Sequence, residues 1–229
     1  MKVIILAAGK GSRLGKTRPK PLTVLYKNKS ILDFQVEKIA KKFGDVSITI
    51  VVGYKKEEII HRYPHFTYVY NAQFAQTNTA KSLLLALEQI DDDVLFLNGD
   101  VYFDEEVLGL LLQSTFSSCL VNTSKCSDEE IKYTLDENGF INELSKKVRN
   151  GKGEAVGINL LKKNDITYVR KELAAVEERD YFEKALENLT LFKKLRLRPI
   201  DISDYYCKEI DFPEDLLEVQ EHIERVVGK

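Results

Sequence analysis

Short runs of β-branched and aliphatic residues alternate with helical patterns over the first half of this 229-residue chain. Such alternation is typical of βαβ units, in which helices connect parallel strands and cover the sheet. The pattern predicts strands at 3–7, 46–52, 67–70, 93–97 and 119–123, and helices at 31–42, 56–62, 79–87 and 105–113. The chain is therefore expected to form an α/β structure around a mostly parallel sheet.

The pattern changes near residue 126. Segments 131–135 and 140–144 flank Asn138-Gly139, a dipeptide typical of hairpin turns. Further strands are predicted at 154–161 and 195–200, and helices at 181–188 and 213–227. The expected fold class is a Rossmann-like, mixed and mostly parallel sheet flanked by helices, with a small antiparallel subregion. We expect a single domain over 1–229, with halves at 1–125 and 126–229.

Composition excludes several classes of protein. Lys and Arg number 34 against 36 Asp and Glu, a net charge of -2, which argues against nucleic-acid binding. No stretch reaches the roughly 20 apolar residues of a membrane span, and the apolar run at 3–8 is too short for a signal peptide. Cys119, Cys126 and Cys207 lack metal-type spacing and are interpreted as inert thiols of a reducing compartment. We expect a cytoplasmic protein with no membrane partner.

The most informative segment follows the first predicted strand. It reads Leu6-Ala7-Ala8-Gly9-Lys10-Gly11-Ser12-Arg13-Leu14, and Pro19-Lys20-Pro21 comes shortly after it. Glycines let the backbone approach a ligand closely, and the free N–H groups of such a loop can bind an anion. Arg13 and Lys20 would bring positive charge to the same phosphates. The segment matches neither a P-loop nor a complete dinucleotide-binding fingerprint.

In these residues the chain resembles the nucleotidyltransferase family that includes sugar-1-phosphate nucleotidyltransferases and phosphocholine cytidylyltransferases. The signature of that family is L-A-A-G-x-G-[ST]-R-(x)-P-K, and two later motifs follow in the expected order. The resemblance implies a reaction in which an acceptor phosphate displaces pyrophosphate from a nucleoside triphosphate. It also implies that 1–125 mainly binds the nucleotide and 126–229 mainly binds the acceptor.

Two acidic residues are expected to hold Mg²⁺, the cofactor that the resemblance implies. Asp100 follows an apolar strand, and ligands bind at the carboxyl ends of parallel strands. Asp211 precedes Pro213 and by itself is typical of a helix cap. The resemblance makes it the second metal ligand, because family members carry an I-D-x-P-E-D-L segment, although Phe212 replaces their usual Thr or Ser.

The expected chemistry is positioning and charge neutralisation. A phosphate monoester is already an anionic nucleophile near neutral pH, so the reaction needs no general base. Lys20, Arg13 and Asp100 are the candidate catalytic residues. The three histidines, at 61, 65 and 222, have no neighbouring acidic or cysteine pattern and are expected to be structural.

Nucleotide recognition is expected from the N-terminal loop and from the segment 69–83. That segment resembles phosphocholine-type cytidylyltransferases more than the sugar-nucleotide members. An Asn carbonyl can accept a hydrogen bond from the amino group of cytosine, which favours CTP. The candidate nucleotide-binding residues are Leu6, Ala7, Ala8, Gly9, Gly11, Ser12, Arg13, Lys20, Asn71, Thr77, Asn78, Ser82 and Asp100.

Acceptor recognition is expected from Lys146, Glu154 and Gly157, by resemblance to the family's acceptor-side segments. Lys147 and Lys152 remain alternatives to Lys146, because the family's Pro is missing after it. The favoured acceptor is a small phosphorylated molecule of the phosphocholine or phospho-amino-acid kind, used to decorate surface polysaccharide.

Two other hypotheses remain open at this point. One is a sugar-1-phosphate nucleotidyltransferase that uses UTP, dTTP or GTP, and the other is a nucleotide-sensing protein that has lost its chemistry. The joint presence of Lys20, Asp100 and Asp211 argues against the second. The sequence leaves a homodimer open.

Overall fold

The computed structural model describes residues 1–11, 14, 18–124 and 130–227. Its strands are β1 (Lys2–Ala7), β2 (Val24–Tyr26), β3 (Lys29–Ser30), β4 (Ile48–Val52), β5 (Thr67–Tyr70), β6 (Val94–Asn98), β7 (Val101–Phe103), β8 (Ser118–Asn122), β9 (Lys132–Leu135), β10 (Ile141–Ser145), β11 (Glu154–Leu161), β12 (Arg198–Asp201) and β13 (Cys207–Glu209). Its helices are α1 (Ile31–Phe43), α2 (Lys56–Arg62), α3 (Thr79–Leu87), α4 (Glu106–Leu112), α5 (Lys163–Ala175), α6 (Phe182–Leu191) and α7 (Pro213–Val227), and a 3-10 turn covers Lys20–Leu22.

Nine of the strands in the described residues form the main sheet. Seven lie in the order β10-β9-β11-β6-β1-β4-β5, while β8 pairs with β11 and β12 pairs with β8. The pairs β6-β1, β1-β4 and β4-β5 are parallel, and β11 runs antiparallel to β6, β8 and β9. The predicted fold class, a mostly parallel sheet with an antiparallel region at one side, is confirmed.

Helices cover both faces of the sheet, so its central strands are apolar on both sides. On one face Ile5 packs with Leu32 of α1, and on the other Ile4 packs with Leu83 of α3. Successive strand residues point to opposite faces, so one strand contributes to both cores. Val3, Ile4 and Ile5 of β1 are all fully buried, which explains the uninterrupted apolar run in the sequence.

The sequence interpretation missed helix α5, the short strands β2, β3 and β7, and the 3-10 turn. Helix α5 buries Ile166, Val169 and Leu173, which lie at helical spacing among charged residues, so the signal was present but sparse. Strands β7 and β13 have three residues each and pair with one another in a separate sheet. Their pairing depends on contacts across more than 100 positions of sequence, which local periodicity does not reveal.

Cys119 and Cys207 are free thiols, and burial raises the pKa of both, so they stay protonated; Cys126 lies outside the described residues. No helix in the described part of the chain has the length and apolar character needed to cross a membrane.

The start of α1 generates a stability prediction. Ser30 is the N-cap: its side chain accepts from the Asp33 N–H while the Asp33 carboxylate accepts from the Ser30 N–H. We expect Ser30→Ala to lower the free energy of unfolding by about 1 kcal/mol, because the Asp33 N–H loses the side-chain oxygen that accepts from it. The measurement is a urea titration with Ser47→Ala, an exposed serine, as the control. Equal midpoints for the two variants would contradict the role of the cap.

Candidate active site

One cavity of about 690 Å³ opens at the carboxyl ends of β1 and β6 and extends to β11 and the start of α6. Among the described residues that line it are Leu6, Ala7, Ala8, Gly9, Gly11, Lys20, Thr77, Asn78, Ser82, Asn98, Asp100, Glu130, Lys146, Glu154, Gly157, Tyr181, Glu183, Glu209 and Asp211. Ligands of open α/β sheets bind at this kind of edge. The sheet therefore places residues from both halves of the chain around one space.

The loop after β1 holds Lys20 at the cavity. Gly11 has a φ of +59°, and a Cβ atom on it would lie 2.6 Å from Cβ of Lys20. Only glycine accepts both the left-handed backbone and this contact without strain. Lys20 begins the 3-10 turn, and its side chain is 10% exposed. The glycine of the predicted motif thus lets the lysine pack against the loop.

Asp100 lies in the tight turn between β6 and β7. Gln35 of α1 is buried beneath this turn, and its side-chain nitrogen donates to the carbonyl oxygens of Asn98 and Val101 at 2.9 and 2.8 Å. These two bonds fix the backbone on either side of Asp100. The position of the carboxylate is therefore set by a helix that precedes it by more than 50 residues.

The pairing of β13 with β7 brings two more carboxylates to the same point. Glu209 lies opposite Val101, and the Ile210 N–H donates to the carbonyl oxygen of Asp100 at 3.0 Å. The next residue, Asp211, precedes α7, where the Asp215 carboxylate accepts from its backbone N–H at 3.0 Å. The side chain of Asp211 pairs with Lys20.

Lys20 binds two of these carboxylates at once. Its Nζ lies 2.6 Å from Oδ2 of Asp100 and 2.5 Å from Oδ1 of Asp211. Burial alone would lower the pKa of Lys20, but Asp100 and Asp211 outweigh it and raise the pKa above its ordinary value. For Glu209, burial and the negative charges of Asp100 and Asp211 outweigh the effect of Lys20. Together they raise the pKa of Glu209 well above its usual range. Lys20 is thus a permanent cation that balances an acidic cluster.

The acidic cluster has the composition of a site for a hard divalent cation. One carboxylate oxygen each from Asp100, Glu209 and Asp211 lies within 4.8 Å of the others. Oδ1 of Asp100 is buried and has no hydrogen-bond partner among the described residues. Oxygen ligands of this kind suit Mg²⁺. The donor set therefore fits the cofactor that the family resemblance implies, and it adds Glu209 to the two predicted ligands.

The polar residues predicted to bind the nucleotide base largely bond one another. The Asn71 amide donates to Thr77 and Ser82 at 2.9 and 3.0 Å, and its carbonyl accepts from the Gln73 N–H. Asn78 caps α3 and donates to the carbonyl oxygen of Arg179. Thr77, Asn78 and Ser82 line the cavity, whereas Asn71 lies behind them, 2% exposed. Asn71 is therefore not at the cavity surface. Its side-chain amide instead holds Thr77 and Ser82, which do line the cavity.

The residues predicted to bind the acceptor line the opposite wall. Lys146 follows β10, and its Nζ lies 5.6 Å from the centre of the Tyr181 ring. Glu154 begins β11, and Gly157 has a φ of +72°. A Cβ on Gly157 would lie 2.6 Å from the side-chain nitrogen of Asn98, so a glycine is required there. All three predicted residues are therefore at the cavity.

Two predicted residues, Ser12 and Arg13, lie outside the described residues. The sequence interpretation missed Glu209 as a residue of the site, because it stands next to a recognised motif but has no spacing of its own to mark it.

Comparisons with known proteins identify the family of this chain. Residues 3–164 match the family model of the MobA-like NTP transferase domain. The CTP:phosphoglutamine cytidylyltransferase of Campylobacter jejuni is 31% identical over 96% of this chain and 99% of its own length. The bifunctional protein GlmU of Methanocaldococcus jannaschii is 27% identical over 97% of this chain. The match covers 54% of that protein, so the chain spans about half the length of this relative.

Two solved structures share the fold. CTP:phosphocholine cytidylyltransferase from Streptococcus pneumoniae has a TM-score of 0.78 at 20% identity, over 97% of this chain and 98% of that chain. The inositol-1-phosphate CTP transferase from T. maritima has a TM-score of 0.77 at 17% identity, over 97% and 96%. The family resemblance predicted from the N-terminal loop is confirmed.

The ion pairs of Lys20 generate a prediction about stability. We expect Lys20→Met to lower the free energy of unfolding by about 2–4 kcal/mol, because it leaves a cluster of part-buried carboxylates without its cation. The control is Lys29→Met, whose exposed pair with Glu37 is expected to contribute less than about 1 kcal/mol. Both variants are compared by urea unfolding with and without MgCl₂.

Added Mg²⁺ distinguishes a metal site from an ordinary salt bridge. Because the carboxylates of the Lys20→Met variant lack their cation, we expect MgCl₂ to raise its unfolding midpoint more than that of the wild type. A Lys20→Met variant as stable as Lys29→Met, and insensitive to Mg²⁺, would refute this account of the cluster.

Proposed function

Since this chain belongs to the MobA-like NTP transferase family, we propose that it is a Mg²⁺-dependent nucleotidyltransferase, with CTP as the favoured nucleotide and a small phosphorylated molecule as the acceptor. The products would be a CDP-linked compound and pyrophosphate. The observation that carries the proposal is the position of Lys20, Asp100 and Asp211 in a single cavity, between the glycine loop and the wall that bears Lys146.

The proposed reaction is an in-line displacement. An oxygen of the acceptor phosphate forms a bond to the α-phosphorus of the nucleotide, and the bond from that phosphorus to the pyrophosphate oxygen breaks. The acceptor oxygen carries its own negative charge, so no side chain has to remove a proton. The protein's contribution is to align the two phosphates and to offset their charges.

Each wall of the cavity has a part in this proposal. The loop 6–11 offers backbone N–H groups to the triphosphate, and Lys20 places a fixed positive charge beside it. Asp100 and Asp211, joined by Glu209, would hold Mg²⁺, which supplies further positive charge at the phosphates when bound. Lys146 would bind the phosphate of the acceptor from the opposite wall.

The preference for CTP draws on named relatives. The Campylobacter jejuni relative that matches nearly the whole chain is a CTP-dependent enzyme by name. The CMP-5'-(3-aminopropyl)phosphonate synthase of Streptomyces rubellomurinus is 34% identical over 52% of this chain and 20% of its own length. Both names describe cytidylyl chemistry on a non-sugar molecule, which supports the same class of acceptor here. We further propose that the enzyme acts in the cytoplasm and that its product is used to decorate cell-surface polysaccharide.

The direct test is pyrophosphate release with Mg²⁺, in which CTP, UTP, dTTP, GTP and ATP are each combined with non-sugar phosphates and with sugar 1-phosphates. We expect turnover with CTP and a non-sugar phosphate, and none in EDTA. Turnover with UTP, dTTP or GTP and a sugar 1-phosphate would contradict the cytidylyl assignment and leave nucleotidyl transfer in place. No release from any pair would contradict nucleotidyl transfer itself.

Variants test the proposed residues in the same assay. Lys20→Ala and Asp100→Asn are expected to reduce kcat by at least about 100-fold, because each removes a group that offsets or organises phosphate charge. Asp45→Asn, at an exposed position that is not among the residues lining the cavity, is the matched control and should retain the wild-type rate. Normal turnover in Lys20→Ala or Asp100→Asn would remove that residue from the catalytic site.

A further inference from the structure

Residues 191–198, here called the basic patch, leave the end of α6 and lead into β12. The patch carries Phe192, which at 70% is the most exposed of the large apolar side chains that the structure describes, and Leu191 beside it is 45% exposed. One exposed apolar residue is ordinary on a protein surface. The significance of this pair therefore depends on the groups that surround it.

Four cations surround the two apolar side chains. The patch contains no acidic residue and reads Leu191-Phe192-Lys193-Lys194-Leu195-Arg196-Leu197-Arg198. Leu195 and Leu197 are buried, so the alternate residues at 194, 196 and 198 face outward. Nζ of Lys194 lies 5.9 Å from the centre of the Phe192 ring. The patch therefore presents apolar and positively charged groups side by side.

The two arginines are held in place by aromatic rings rather than by carboxylates. The guanidinium carbons of Arg196 and Arg198 lie 4.3 and 4.4 Å from the centre of the Phe140 ring, and 4.6 and 5.5 Å from that of Phe116. Within the described part of the chain, neither guanidinium forms an ion pair or donates a hydrogen bond. Stacking therefore fixes the planar groups and leaves their N–H donors for an external anion.

The end of the helix explains only part of this charge. Lys193 and Lys194 follow the C-terminus of α6, where positive charge is favourable. That explanation extends neither to the arginines nor to Phe192. Other exposed cations, such as Lys41 and Arg62, pair with carboxylates at 2.7 and 2.5 Å. The basic patch is instead a row of cations with no ion-pair partner among the described residues.

We propose that the basic patch docks the protein on the surface of an anionic lipid bilayer. Phe192 and Leu191 enter the headgroup layer, and the four cations bind the lipid phosphates around them. A protruding apolar side chain suits a soft and flat surface, whereas a folded protein partner would need a pocket shaped to receive it. The inference goes beyond the proposed function and does not depend on it.

The formal net charge of -2 does not oppose this contact, because at physiological salt charges are screened beyond about 8 Å. The bilayer therefore responds to the cations of the patch rather than to the charge of the whole chain. Adsorption of this kind needs no spanning helix. It revises the sequence-based expectation that the protein has no membrane partner.

Helix α6 separates the basic patch from the cavity. Tyr181 and Glu183, at the start of the helix, line the cavity, whereas none of residues 191–198 does. The 10 residues of the helix span about 15 Å. Docking through the patch therefore leaves the cavity open to small molecules and places the proposed reaction at the lipid surface.

The test is co-sedimentation with vesicles of phosphatidylcholine alone and of phosphatidylcholine mixed equally with phosphatidylglycerol. We expect the wild type to bind the mixed vesicles at least about tenfold more tightly, because each cation near an anionic surface adds to the affinity. High salt is expected to weaken this binding. Since no nucleotide is present, the result does not depend on whether the protein catalyses nucleotidyl transfer.

A double variant tests the charge of the patch. We expect Lys194→Gln/Arg196→Gln to weaken binding to the mixed vesicles at least about tenfold. The matched control, Lys41→Gln/Lys171→Gln, removes the same charge from exposed positions elsewhere and should bind as the wild type does.

A single variant tests the apolar contact. We expect Phe192→Ser to weaken binding to the mixed vesicles, because the side chain no longer enters the headgroup layer. The matched control is Leu217→Ser, at a position in α7 that is 60% exposed, and it should leave vesicle binding unchanged.

Equal binding of the wild type to the two kinds of vesicle, or no binding to either, would overturn the inference, and this comparison decides the question even if a variant does not fold. Unchanged binding in the patch variants, or an equal loss in their controls, would also overturn it. Retention on immobilised poly-aspartate without binding to vesicles would indicate an acidic protein partner and would exclude the lipid surface.

Discussion

The contact of Lys20 with Asp100 and Asp211 joins three parts of the chain that are far apart in sequence. The two acidic partners are 80 and 191 residues from the lysine. Much of the surrounding structure serves this contact. Gly11 lets the lysine pack against the loop, Gln35 fixes the turn that carries Asp100, and the pairing of β7 with β13 brings Asp211 alongside. Charge balance in the cluster is thus built into the fold.

The same sheet accounts for the two walls of the cavity. Strand β6 pairs with β1 on one side and with β11 on the other. The carboxyl end of β6 therefore lies between the glycine loop and the strand that bears Glu154 and Gly157. A nucleotide on the β1 side and an acceptor on the β11 side would meet at the acidic cluster. The polar groups of the first wall bond one another and are preorganised. On the second wall, Oε2 of Glu183 is buried and has no hydrogen-bond partner among the described residues.

Much of this fold could be predicted from the sequence, because parallel strands buried on both faces leave continuous apolar runs. Lys20 was identifiable because it follows a glycine-containing loop, and Asp100 because it follows the end of an apolar strand. Other features depend on tertiary contacts that have no local pattern. Glu209 reaches the acidic cluster through a three-residue strand, and Asn71, predicted to bind the nucleotide, has its amide occupied by Thr77 and Ser82. Glu183 is buried by helix packing, which sequence periodicity does not distinguish from an exposed first turn.

The central claim is that one cavity holds the nucleotide over the glycine loop and a divalent cation at the acidic cluster. A crystal structure with Mn²⁺ and a non-hydrolysable CTP analogue tests it most directly. The account predicts an anomalous peak within coordinating distance of Asp100 and Asp211, with the triphosphate against residues 6–11 and the ammonium of Lys20 beside it. A metal bound elsewhere, or a nucleotide bound outside this cavity, would contradict the account.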